Sequence, residues 1–145
     1  QQAAWREIIE QSGVGFIDIE LPDHNEQMRQ LSDLSGKIIL LDFSTYDSQE
    51  SISYTFTLRE LHDQYASKGF EIYQVSLDRN KFVWEDAVEN LPWICVRDEN
   101  GPNTRYAATY NIRAIPSYFL IDRSGDIVGR DMDINTLRKE IEKRL

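Results

Sequence analysis

An unbroken run of four aliphatic residues, Ile38-Ile39-Leu40-Leu41, lies between Gly36-Lys37 and Asp42-Phe43. Consecutive apolar residues with no polar alternate predict a strand over 37–43 that is buried on both faces, as in a parallel or mixed sheet. The period then changes. Phe56, Leu58, Leu61 and Tyr65 recur at short, mostly helical intervals and predict a helix over 51–67, closed by Lys68-Gly69. A second apolar strand follows at 70–77, and a second helix at 80–90 carries Phe82, Val83, Trp84, Ala87 and Val88. A short strand at 93–96, a turn at Gly101-Pro102-Asn103 and a short helix at 104–110 come next. The chain finishes with strands at 117–121 and 127–130 around the turn 122–126, then a helix over 134–145 with Ile134, Leu137, Ile141 and Leu145 on one stripe.

Upstream, Phe16, Ile17, Ile19 and Leu21 predict a short strand. Pro22-Asp23-His24-Asn25 is turn chemistry, and Met28 and Leu31 belong to a returning hairpin arm. Residues 5–11 read as a helical turn or linker, broken by Gly13 and Gly15. The organisation is therefore an extension over 1–14 and one domain over 15–145. Within it, strands alternate with helices, which predicts parallel pairing, and a terminal hairpin adds antiparallel pairing. The fold class is α/β, with a central mixed sheet flanked by helices and an N-terminal β-hairpin.

Composition narrows what such a domain does. The 145 residues are 41% hydrophobic and include 3 Trp, 7 Tyr and 6 Phe, enough for a core without metals or disulfides. Net charge is −9, a field that repels phosphate backbones and anionic lipid heads, so nucleic-acid binding is not expected. No apolar run approaches membrane-spanning length, so membrane insertion of this chain is not expected either. The single cysteine, Cys95, forms no intrachain disulfide, and with two distant histidines it builds no metal cluster. No metal or cofactor is expected. Asp122, Asp126, Asp131 and Asp133 read as hairpin acids rather than a calcium site. The opening Gln1-Gln2-Ala3 suggests a processed or excised chain that lacks an upstream signal or domain. Oligomeric state has no signal in the sequence.

Three segments share one resemblance: 36–43, 69–78, and 110–122 followed by Ser124-Gly125-Asp126-Ile127-Val128. In this order and spacing the chain resembles thioredoxin-like thiol-disulfide oxidoreductases of the TlpA/ResA type, close to the AhpC/TSA group, over roughly residues 15–145. The resemblance implies a thioredoxin-like fold, a Trp-Cys-X-X-Cys motif after the first core strand, a cis-proline loop and a location in the periplasm or cell envelope, outside the cytoplasmic membrane. The aligned segment here is Asp42-Phe43-Ser44-Thr45-Tyr46-Asp47-Ser48-Gln49-Glu50-Ser51. Ser48 and Ser51 take the two cysteine positions, Asp47 stands where an aromatic residue is usual, and Glu50 where proline is frequent.

That departure bears on chemistry. The dithiol works because a thiolate at a helix N-terminus attacks a disulfide and a second thiol resolves the product. A serine hydroxyl is far more basic and forms no redox-labile bond to sulfur. Disulfide exchange is not expected, and neither is peroxidase chemistry, because Cys95 lies elsewhere and reads as a buried, inert strand residue. Serine hydrolysis lacks a base, since His24 and His62 fall away from Ser48. The remaining candidates are the degenerate positions Ser48 and Ser51 and Asp42, which the resemblance implies is the family's buried acid and which is expected to have a raised pKa. The resemblance implies that the cis-proline loop lies beside the lost dithiol, so Tyr46, Asp47, Ser48, Ile115 and Pro116 form a candidate edge for an extended peptide; the alternative is that Pro116 only shapes its loop. Ser48 to Ser51 also read as helix-capping chemistry. Tyr46, Tyr54, Phe56, Trp93 and Tyr118 are candidates either for core or for lining a pocket there.

Three functions stay open at this point. One is a redox-inactive module that binds a peptide or protein client. The second is an active oxidoreductase, if Ser48 and Ser51 replace natural cysteines; the changed neighbours Asp47 and Glu50 favour natural divergence instead. The third is a structural domain of a longer envelope protein.

Overall fold

Residues 17–145 are described by the computed structural model, so the expected extension over 1–14 and the start of the first strand lie outside the described residues. The hairpin is shorter than its apolar pattern suggested. Strand β1 is Glu20–Pro22 and pairs antiparallel with β2, Met28–Gln30. Asp23 shapes the turn by accepting hydrogen bonds from the amides of Asn25 and Gln27. After β2 the chain enters a 3₁₀ turn, Leu31–Leu34, rather than extending the arm through Leu31.

The apolar run becomes β3, Ile38–Ser44, buried along its whole length. It pairs parallel with β4, Phe70–Ser76, which pairs parallel with β5, Ile94–Arg97. On its other side β3 pairs antiparallel with β6, Ser117–Ile121, which is followed by β7, Ile127–Arg130. The sheet order is β5-β4-β3-β6-β7. Helices α1 (Glu50–Tyr65), α2 (Lys81–Val88) and α4 (Ile134–Arg144) contribute Leu58, Leu61, Trp84, Val88, Leu137 and Ile141 to one core layer. The hairpin and the short helix α3, Arg105–Thr109, cover the opposite face with Leu21, Leu31, Tyr106 and neighbours. Burial of β3 on both faces follows from its central place, which its unbroken apolar run anticipated.

Side chains close the helix ends. Asn80 accepts from the amides of Phe82 and Val83, Thr104 from Tyr106 and Asp133 from Thr136. Some expected core positions are solvent-facing. Phe56 is 62% exposed, because the buried stripe of α1 runs through Leu58, Leu61 and Tyr65 and leaves Phe56 well over 100° away around the helix. Phe82 and Leu145 are exposed as well.

Candidate functional site

Ser44 ends β3, and Thr45 to Gln49 carry the chain into α1. Tyr46 is fixed by its amide, which donates to the Asp78 carboxylate at 2.9 Å. Asp47 is exposed and accepts from the Thr45 hydroxyl. Ser48 is exposed, and the Ser51 hydroxyl donates to the Ser48 carbonyl. Gln49 is the capping residue of α1 and makes no side-chain cap. The expected serine cap is therefore not formed: the cap position falls to Gln49, and Ser51 lies one residue inside the helix, where its hydroxyl donates to the Ser48 carbonyl.

Across from this turn lies the loop before β6. Its Ile115–Pro116 peptide bond is cis, and Ile115 is 39% exposed. The edge hairpin holds the loop in place. Arg130 donates to the carbonyls of Tyr110 and Asn111 at 3.2 and 3.1 Å and lies over the Phe119 ring. The Asp131 carboxylate accepts from the Ser117 hydroxyl and the Tyr118 amide. Between the two segments runs an open groove of about 480 Å³ that brings together Ser48, Ser51, Tyr54, Thr57, Ile115 and Pro116. Two of the expected edge residues are not in its lining. Tyr46 turns to the other side of α1, and Asp47 points to solvent. Tyr54 does line the groove, whereas Trp93 is core.

Beneath the groove sits Asp42, fully buried. One carboxylate oxygen accepts from the Tyr54 hydroxyl; the other accepts from Ser44 at 2.6 Å and from the Gln74 amide at 3.0 Å. Burial pushes this carboxyl up to about 6, against the pull of those three hydrogen bonds and with some help from the charge of Asp131. Tyr54 stands between Asp42 and the groove and lies stacked on Tyr118. Gln74, opposite Asp42 in the β3–β4 register, extends the network: its carbonyl oxygen accepts from the Tyr46 hydroxyl and from the Trp93 indole at 2.9 Å. Sequence reasoning missed Gln74. Its signal was a long polar side chain in the middle of an otherwise buried strand.

Cys95 is buried on β5, two strands from β3, and contacts Gln74 and the Trp93 carbonyl. Burial pushes its thiol well above the usual range, which leaves little thiolate for nucleophilic attack. His62 bonds Glu71, opposite Ile39 near the start of β3, so it sits toward the other end of the sheet from Ser48. The groove thus offers hydroxyls, an exposed carboxylate at Glu50, an apolar wall at Ile115 and Pro116, and no thiol.

Comparison with known proteins agrees with this geometry. A family model described as thioredoxin-like matches residues 36–127, well over half of the chain. A thioredoxin-like protein from Bacteroides vulgatus is 43% identical, with a TM-score of 0.82 over 89% of this chain and 85% of that one. A thiol-disulfide oxidoreductase from Bacteroides fragilis is 25% identical, with a TM-score of 0.80 over 88% of this chain and 97% of that one. The thiol-disulfide oxidoreductase ResA of Oceanobacillus iheyensis is 28% identical over 76% of this chain, and nucleoredoxin of Xenopus laevis is 28% identical over 79%. The chain spans 59% of that ResA and 28% of that nucleoredoxin. Matched in sequence across its core strands and in topology across its described length, the chain belongs to the thioredoxin-like family, whose relatives here include thiol-disulfide oxidoreductases.

Proposed function

We propose that this domain is a redox-inactive member of its family that binds an extended polypeptide in the groove between Ser48 and Pro116. One observation carries the reading: the groove is open and lined by Ser48 and Ser51, which by resemblance take the dithiol positions, while the single thiol is buried two strands from β3. An oxygen nucleophile there has no base at hand and no redox couple with sulfur. The loop at Ile115–Pro116 offers backbone groups to a peptide in strand form, and Ile115 and Pro116 offer apolar contact. The resemblance to ResA supports a place in the cell envelope, as a module of a larger protein.

Insulin-disulfide reduction by the purified chain tests the redox half. The wild type is expected to match the dithiothreitol background, and turnover above it overturns the reading. Panning a peptide-display library against the wild type and against Ser48→Trp, which fills the groove, tests the binding half. Enriched peptides are expected to bind the wild type and lose affinity for the variant; equal binding to both moves the site elsewhere.

A further inference from the structure

Ser51 lines two depressions. One is the groove toward Pro116; the other is a cleft of about 280 Å³ between α1 and α2, on the far side of the first turn of α1. Tyr46 and Ala87 line this cleft together with Ile52 and Phe56. Ile52 and Phe56 lie one helical turn apart and are 61% and 62% exposed. Val83, one turn before Ala87 on the same face of α2, is exposed too. Scattered apolar residues on a surface need no explanation, but Ile52 and Phe56 meet at one concavity with an aromatic wall. That wall is held from both ends: the Tyr46 hydroxyl bonds Gln74 and its amide bonds the buried Asp78. A fixed aromatic with exposed apolar neighbours is the kind of preformed pocket that receives an anchoring side chain.

Charge decides among occupants. Glu50, in the groove's lining, and Asp47, in the turn before α1, are exposed, and neither is in an ion pair among the described residues. Among the described residues Arg59 supplies the only cation in the cleft's lining, one turn beyond Phe56 along α1. A second copy of a chain with net charge −9 meets like charge at these two carboxylates, and so does an anionic lipid surface.

We propose that the α1–α2 cleft is a second subsite of the polypeptide-binding surface, and that it takes a bulky apolar side chain of a partner protein flanked by lysine or arginine. The inference rests on the groove reading above and adds to it the kind of segment bound. Anchor in the cleft, basic positions over Asp47 and Glu50, and backbone along Ile115–Pro116 form one continuous footprint that crosses the start of α1.

Amide chemical shifts of the ¹⁵N-labelled protein separate the two readings. The probes are three synthetic peptides: a central Leu-Trp pair flanked by lysines, the same pair flanked by glutamates, and an Ala-Ala pair flanked by lysines. The lysine-flanked Leu-Trp peptide is expected to shift Ile52, Phe56 and Ala87 together with Ser48, Ile115 and Ser117. The other two are expected to bind more weakly. Phe56→Ser, a change at an exposed position, is expected to lower affinity roughly tenfold and to erase the cleft shifts while the groove shifts persist. Shifts confined to the groove overturn the second subsite and leave the groove reading standing. Shifts in neither region overturn both. Equal binding of the glutamate-flanked peptide overturns the charge assignment. Cleft shifts that grow with protein concentration alone assign the cleft to a second copy, and cleft broadening by phosphatidylglycerol vesicles assigns it to a lipid surface; either overturns the proposal.

Discussion

Asp42 is a carboxyl with no exposure and three donors, and its balance of forces is measurable. Because its pKa is about 6 when folded against 3.8 for the free side chain, the folded state keeps a proton that the unfolded chain has already lost between those values. Stability contributed by this group is therefore present below pH 4, falls as pH rises through 6, and is then flat. A shift of this size corresponds to roughly 3 kcal/mol. Urea unfolding of the wild type and of Asp42→Asn at several pH values checks it: the variant is expected to lack this fall, so the gap between the two narrows or reverses toward pH 7. Parallel curves would show that Asp42 titrates alike in both states. The acid itself was marked in the sequence by the resemblance, which places the family's buried acid at Asp42. Its partners were not, because Gln74, Tyr54 and Ser44 meet it only through strand register and a helix docked across the sheet.

At the scale of the element, α1 shows how a correct helix can hide an incorrect face. Phe56 and Leu58 are near neighbours, yet Leu58 is 1% exposed and Phe56 62%. Leu58→Ala is expected to cost about 2–5 kcal/mol by opening a cavity. Phe56→Ala is expected to stay within about 0.5 kcal/mol. Thermal unfolding of the pair decides whether the stripe has been placed correctly. The turn after α1 depends on Gly69, whose φ of +99° belongs to the left-handed region. A Cβ there would also lie 2.8 Å from the Arg123 guanidinium, which donates to the Lys68 carbonyl. Gly69→Ala is expected to cost roughly 1–2 kcal/mol, read as a lower urea midpoint with an unchanged slope. This glycine was legible as a stop signal. Which face of the helix was buried was not, since an aromatic residue satisfies a periodic count from several offsets.

For the molecule as a whole, the sheet carries two core layers, and the small hairpin completes one of them. The Tyr73 hydroxyl donates to the Arg29 carbonyl at 2.8 Å, and Asp23 bridges Val96 on the edge strand β5, so the hairpin is tied to the sheet at both places. Tyr73→Phe is expected to lower stability by about 1 kcal/mol and to speed hydrogen exchange in β2 and at Leu31, with the central strands β3 and β4 unchanged. Uniform acceleration would mean that the hairpin does not open separately. By itself the sequence determined the order of elements and the burial of β3, because both are written in local composition and period; three segments in register pointed to the family, and a single cysteine leaves no pair for a dithiol. Only the tertiary structure decided that Tyr46 and Ser48 face different depressions, that Tyr54 covers Asp42 and that Phe56 meets solvent. Those outcomes depend on which face each helix turns to the sheet, and that is settled by packing between segments far apart in the chain.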